Sequence, residues 1–277
     1  MSVKNNDGSL LHFLYKTKAG RLILKPLTSV TVSKICGAFL DSPLSKPLIS
    51  PFVKKNDIDL SDYECNNFKC FNDCFCRKIK DGKRMIDHNV NTLTSPCDGL
   101  LSAYYINKDT VLPIKQSSYT LKSLLKDDAL ADKYNGGVCL VFRLCVHHYH
   151  RYCYPVGGQK NGNIFIKGKL HTVRPIALEA LPVFVENCRE YTEIKSDKFG
   201  DIIQMEVGAL LVGKIKNLHK DSCKVTKGEE KGMFLYGGST VIMLLEKNAV
   251  KIKEHYFNST ENGEEVPVLM GEILNVM

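Results

Sequence analysis

A carboxylate, a run of imidazoles and a hydroxyl behind two glycines are the groups in this chain whose types could do chemistry. Asp98 ends Ser95-Pro96-Cys97-Asp98-Gly99, a turn that leaves a carboxylate at the start of a strand. His147, His148, His150 and Cys153 lie in RLCVHHYHRYCYP, which reads as a strand. Ser239 and Thr240 follow Gly237 and Gly238, directly before the apolar run Val241-Ile242-Met243-Leu244-Leu245. Alone, that last stretch is a turn feeding a buried strand, because glycine accepts backbone conformations closed to other residues. Together the three segments hold the parts of a relay, in which carboxylate orients imidazole and imidazole takes the hydroxyl proton. His147, His148, His150 and Cys153 also have the donor types of a zinc site; the expectation is nonetheless that no metal is bound.

The elements that must position these groups fall into two parts. Within residues 28–55, apolar residues recur near helical spacing at Val30, Val32, Ile35, Phe39, Leu40 and Leu44, with Lys34, Lys46, Lys54 and Lys55 between them. Pro43, Pro47 and Pro51 break that pattern into short helices. Such a stretch either packs on the protein's own core or lies on an anionic bilayer. A further short helix is expected within residues 61–83 and another over 117–134, while residues 177–190 are ambiguous. From about Val90, short β-rich runs alternate with Gly, Pro, Asn and Asp. The predicted fold class is α+β: a mainly-β, compact sandwich or barrel-like catalytic domain over 90–277, with a helical, membrane-associating N-terminal region over 1–89.

Composition sets limits. Thirty-eight Lys and Arg against 30 Asp and Glu give a net charge of +8, which suits an anionic partner. No nucleic-acid-binding signature organises those bases, so the excess reads either as an ordinary solvated basic surface or as one that meets an anionic membrane. No apolar run reaches the roughly 18 residues that a membrane span needs. Eleven cysteines, without a signal-peptide pattern at the N-terminus, read as reduced thiols. Cys65, Cys70, Cys74 and Cys76 cluster without a CxxC pair and read as small buried apolar residues.

The segments SPCDGLLSAY, YHRYCYPVGG, LHTVRPIALEALPVFVENCREY, MEVGALLVGKI and KGEEKGMFLYGGSTVIMLL resemble, in order and spacing, the prokaryotic phosphatidylserine decarboxylases. FLDSPLSKPLISPFVKKNDIDLSDYE and FNDCFCRKIKDGKRMID extend the resemblance over nearly the whole chain. The double-glycine form of the Gly-Ser-Thr signature is similar to the family's shorter bacterial branch.

The resemblance implies self-cleavage between Gly238 and Ser239. The Ser239 hydroxyl attacks the Gly238 carbonyl, and the resulting ester eliminates and hydrolyses to a pyruvoyl group with loss of ammonia. A β chain, residues 1–238, and an α chain, residues 239–277, follow. The covalent pyruvoyl cofactor then decarboxylates phosphatidylserine to phosphatidylethanolamine through a Schiff base. It also implies Asp98 as the group orienting the base, His150 as catalytic, and Arg151 and Lys227 as head-group contacts. Further implications are a peripheral place on the cytoplasmic face of the cell membrane, with phosphatidylserine as the partner there; a homodimer is compatible with all of this. Members read Asp-Tyr-His-Arg-x-His where this chain has His148-Tyr149-His150-Arg151-Tyr152-Cys153. The base is therefore open among His150, His148 and Cys153, and a strand here would put His148 and His150 on one face with Cys153 on the other. Two other readings stay open: an unprocessed lipid-binding protein of the same fold, and a pyruvoyl decarboxylase of a soluble amine.

Overall fold

Val241–Leu245 offers no polar face, so a strand made from it must be covered on both sides. The computed structural model, which describes residues 9–64, 67–107, 112–114, 117–169, 171, 186–208, 215–235 and 239–276, provides that cover. The N-terminal part is helical: α1 (Ser9–Lys16), α2 (Lys18–Leu27), α3 (Val30–Leu40), a 3-10 turn over Pro43–Leu48, α4 (Ile49–Lys55) and the single-turn α5 (Phe71–Phe75). Pro43 and Pro47 fall within the 3-10 turn, where they interrupt the helix as expected. Two helices upstream of residue 28, α1 and α2, went unread in the sequence.

The strands follow as β1 (Gly99–Tyr105), β2 (Leu112–Ile114) and β3 (Ser117–Tyr119). Where one helix was expected over 117–134, β3 is followed by α6 (Leu121–Leu125) and α7 (Asp128–Lys133). Lys126 breaks them by adopting a left-handed backbone at φ 56°. Thr120 and Asp127 then cap the two helices by accepting from Ser123 N and Leu130 N. Next come β4 (Val138–Leu144), β5 (Arg151–Cys153), β6 (Gly158–Lys160), β7 (Ile164–Ile166), β8 (Arg189–Ser196) and β9 (Gly200–Val207). The chain closes with β10 (Ile215–Asn217), β11 (Cys223–Val225), β12 (Glu230–Phe234), β13 (Ser239–Leu245), α8 (Glu254–Glu261) and β14 (Val266–Val268).

The strands build a large antiparallel sheet in the order β11-β6-β8-β9-β13-β4-β1-β14, with β7 also pairing β8. It is open at β11 and β14, so the barrel-like expectation gives way to a mixed α and β fold dominated by one open sheet. A three-stranded sheet, β10-β12-β5, covers part of one face. Tyr152 and Phe234 from that small sheet pack with Leu144, Val241 and Met243 from the large one. On the other face Cys139, Ile203, Ile242 and Leu244 pack against Leu14, Tyr15, Leu24 and Leu124 from the helices. The apolar run is thus sandwiched.

Between the two sheets lies a buried ion pair. Lys231 Nζ of β12 donates to both carboxylate oxygens of Glu206 in β9, each at 2.5 Å, and both side chains are 0% exposed. Asn217 also donates to Glu206, and Tyr152 donates to Asn217. Gly232 lets β12 approach this closely, since a Cβ there would stand 2.3 Å from the Lys216 carbonyl.

Removing Lys231 should leave a buried, uncompensated carboxylate. Lys231→Met is expected to lower stability by about 3–5 kcal/mol, and adding Glu206→Leu should recover most of it. Urea unfolding of single and double variants checks this, and equal losses in both would contradict it.

Candidate active site

The chain crosses between the two sheets twice at one place. Leaving β4 at Leu144 it reaches β5 at Arg151, and leaving β12 at Phe234 it reaches β13 at Ser239. The ends of the two crossings are tied together: Leu144 pairs with Ser239, and the His150 carbonyl accepts from Phe234 N at 2.9 Å. This brings the predicted base and the predicted nucleophile to one seam. Gly237 and Gly238 lie outside the described residues.

The histidine segment is not the single strand the sequence suggested. Residues 146–148 form a turn and β5 starts at Arg151, so His148 shares no strand face with His150. In the turn Cys145 N donates to His148 Nδ1 at 2.9 Å. Burial, helped by His147, pushes the His148 pKa down to about 4, with Asp98 opposing. His150 is 0% exposed and its Nδ1 lies 2.9 Å from the His148 carbonyl. A carbonyl only accepts, so Nδ1 carries the proton and Nε2 carries the lone pair. That Nε2 is buried without a hydrogen-bond partner among the described residues. Burial first, then Arg77 and His148, hold the imidazole neutral far below its ordinary pKa. Ser239 Oγ, 1% exposed, likewise has no partner among the described residues. An imidazole lone pair and a hydroxyl, both buried, thus lie at the ends of these two crossings.

Cys153 is buried on β5, and burial pushes its thiol up to about 12, leaving almost no thiolate at neutral pH. Its N–H donates to the Pro96 carbonyl, which fastens the Asp98 turn against β5. Asp98 does not hydrogen-bond an imidazole among the described residues. Its carboxylate accepts from Arg84 Nε at 2.9 Å, Arg84 Nη2 at 2.5 Å and Met270 N at 2.9 Å. Its charge still acts on His148 and Cys153.

Lys227 spends its ammonium on Asn89 O, Thr92 O and Thr92 Oγ1, so its three donors staple a loop and none is left for a head group. Arg151 holds the Cys76 carbonyl and Glu230, and lines a cleft of about 550 Å³ with Arg77, Lys78 and Lys216. Asp41 and Asp73 are among the facing carboxylates. No group of three or more His, Cys, Asp or Glu side chains converges as a metal would require among the described residues. Cys70, Cys76, Cys97, Cys139, Cys153 and Cys188 are buried thiols outside any disulfide.

Sequence reasoning assigned no role to Arg77, Arg84 or Phe75. Arg77 and Phe75 sit in the quoted CFCR stretch and Arg84 in KDGKRMID, so the signal was present in the residues that carried the resemblance. Phase of burial and partner choice were not.

The architecture is a mixed α and β fold dominated by one open antiparallel sheet, with Ser239 and His150 both buried where the chain passes between it and the small sheet. A profile of the phosphatidylserine decarboxylase family matches residues 71–274. Phosphatidylserine decarboxylase proenzyme 2 of Clostridium acetobutylicum is 44% identical over 271 residues, covering 97% of this chain and 92% of that one. Phosphatidylserine decarboxylase proenzymes of Clostridium botulinum and Ruminiclostridium cellulolyticum are 41% and 40% identical, each over 96% of this chain and at least 91% of theirs. The chain belongs to the phosphatidylserine decarboxylase family.

The buried imidazoles make a stability prediction. Both titrate below the unfolded value near 6.5, so the unfolded chain gains protons first as pH falls. Stability from their neutral burial is complete above about pH 7 and drops through 6.5 towards 4. His148 alone should account for about 2 kcal/mol lost by about pH 5. His148→Asn, whose amide oxygen can still accept from Cys145 N, should flatten the curve by that amount. Thermal melts of the uncut Ser239→Ala chain, with and without this change, measure it; parallel curves would refute it.

Proposed function

We propose that this chain is a self-processing phosphatidylserine decarboxylase, with Ser239 as the nucleophile and source of a pyruvoyl group and His150 as the base. The observation that carries this is a pair of buried polar atoms without partners among the described residues, Ser239 Oγ and His150 Nε2, at the ends of the two crossings. A buried polar atom without a partner is costly, and two of them on segments tied together by the 144–239 and 150–234 pairings point to a use for both. The relatives' description as proenzymes supports a processed product.

In the first stage His150 Nε2 takes the Ser239 proton as the oxygen attacks the Gly238 carbonyl. The buried Cys153 thiol is a poor rival for that role, and His148 Nδ1 is already committed to Cys145 N. Arg84 and the Met270 N–H keep the Asp98 carboxylate fixed beside this region, so Asp98 acts through its field and its hold on the turn. The residues fit the pyruvoyl group, since Ser239 opens β13 with its hydroxyl unengaged. Bound at that position, the group supplies an electron sink for loss of CO2. His150 is the group this reading assigns to hand a proton to carbon. Head-group recognition falls to the cleft, where Arg151, Lys78 and Lys216 suit the phosphate and carboxylate, and Asp41 and Asp73 suit the ammonium.

A peripheral place on an anionic bilayer, on the cytoplasmic side, belongs to the same reading, and the exposed apolar side chains of the helices support the bilayer contact alone. Leu22, Ile35 and Leu44 are 68%, 67% and 78% exposed, with Arg21, Lys34 and Lys46 nearby in sequence. No single described helix is long and apolar enough to cross a membrane, and Lys18–Leu27 meets Thr31–Leu40 at 64°. Leu14, Tyr15 and Leu24 are spent on the core, so the helical region serves both the body and an outer surface.

Processing is read directly by mass. The wild-type chain should give residues 1–238 and a 39-residue fragment lighter by one ammonia than unmodified 239–277. Ser239→Ala and His150→Ala should stay whole, whereas Cys153→Ser should cleave within about twofold of wild type because so little thiolate is lost. A wild-type enzyme that decarboxylates while uncut would end this reading.

For the membrane, sedimentation with phosphatidylserine vesicles should be strong at about 0.1 M salt and weak at about 0.5 M, where screening is tighter. Leu22→Ser with Ile35→Ser should reduce it at both. Equal binding to neutral vesicles would count against an anionic surface.

A further inference from the structure

We propose that Arg77 is a positioning residue for the base: its guanidinium fixes the 147–148 turn, whose carbonyl holds the His150 Nδ1 proton, so that Nε2 is left as the proton acceptor. This rests on the reading of His150 as the base. Arg77 is almost fully buried, and Nη2 donates to the His147 carbonyl at 2.7 Å and to the His148 carbonyl at 3.2 Å. The second of these oxygens is the one that faces His150 Nδ1 at 2.9 Å. Two donors thus converge on the His148 carbonyl, one from a fixed cation and one from the imidazole. Such an oxygen cannot give a proton, and the ring is locked in one tautomer.

The guanidinium is itself held. Its Cζ lies 4.3 Å from the centre of the Tyr63 ring, and Nη1 reaches back towards the Cys74 carbonyl. Phe75, two residues earlier, covers the imidazole with ring centres 4.0 Å apart. One short stretch, Phe75–Arg77, therefore supplies the ring's apolar cover and its hydrogen-bond geometry.

Charge works in the same direction. The titratable groups facing His150 are Arg77, beyond α5, and His147 and His148 in the turn; all three disfavour its protonation. Cys76, between Phe75 and Arg77, is neutral, with its thiol donating to the Phe234 carbonyl. Arg77 also lines the cleft, so a substrate-binding role is the competing account. Self-cleavage needs no lipid, which separates the two.

The test is cleavage of the full chain made by cell-free synthesis without lipid, followed by band splitting from about pH 5 to 9. Arg77→Gln should slow cleavage at about pH 7.5 by about tenfold or more, because the turn loses its clamp. Its acid limb should move up by about one pH unit, since Nε2 takes a proton more readily without the cation. Arg77→Lys keeps the charge without the fork, so its limb should stay put while its plateau falls. In the uncut Ser239→Ala chain, 15N spectra of histidine should show His150 as the Nδ1–H tautomer, and as a mixture once Arg77→Gln is added. A folded Arg77→Gln with limb and tautomer both unmoved overturns the proposal. If that variant does not fold, Arg77→Lys cleaving at the wild-type plateau overturns it. His150→Ala cleaving at the wild-type rate would instead remove the base reading on which it rests.

Discussion

The ladder between β13 and its two neighbours is the constraint on which everything else depends. Ser239 is the first residue of that strand, paired to Leu144 of β4, and from Thr240 onward the strand is also paired to β9. Val241 to Leu245 are wholly buried between two apolar layers. A chemical event placed at residue 239 therefore occurs at the end of a strand paired on both sides and buried on both faces. Burial of five large side chains at about 25 cal/mol per Å² far exceeds what one lost peptide bond could release by fraying. A break before Ser239 would leave β13 in place, with α8 and β14 anchored behind it by pairing of Val266–Val268 to β1. The reactive end is free to change chemically because the rest of its segment is not free to move.

That same burial creates the site's electrostatic problem. An imidazole in a dry interior favours its neutral form, and a base needs just that form. The structure exploits desolvation at His150 and then aims the ring with a backbone carbonyl. The usual partner of a relay histidine is a carboxylate, but here the described carboxylate faces Arg84 and a backbone N–H. A carboxylate placed directly on Nδ1 would raise the imidazole pKa and draw the ring towards its cation. A carbonyl fixes the tautomer without that charge.

Much of the fold was legible because its signals are one-dimensional. The period of the apolar residues placed β1, β12 and β13 where they occur, and prolines marked the breaks before α4. The single strand read across RLCVHHYHRYCYP failed because its apolar ends belong to different sheets, with the turn between them stabilised by His148 within it and by Arg77 from outside the stretch. The single helix read over 117–134 failed at Lys126, whose left-handed backbone no composition rule signals. At the site, Asp98, His150 and Ser239 were legible by type. Their partners were not, since Arg84 lies 14 residues from Asp98 and Met270 lies 172. Lys227 shows the reverse case: a cation whose sequence context suggested a ligand is consumed by three oxygens of one loop.

Among the described residues α1 to α5 lie before residue 90 and β1 to β14 after it, joined there by α6, α7 and α8, but the packing does not follow that division. Leu40 from α3, Phe71 and Phe75 from α5, and Met233 from β12 form one apolar cluster. Ser45 stitches it, donating to the Leu40 carbonyl and accepting from Phe71 N. The cover of the His150 ring, its Arg77 clamp and the Arg84 partner of Asp98 all come from before residue 90. The β-rich part alone would hold Ser239 and His150 but would leave the imidazole wet, its turn loose and Asp98 without its counter-ion. The helices that present an apolar outer surface are thus continuous, through one small cluster, with the packing that keeps the His150 ring dry. The site is completed only where the two parts of the chain meet.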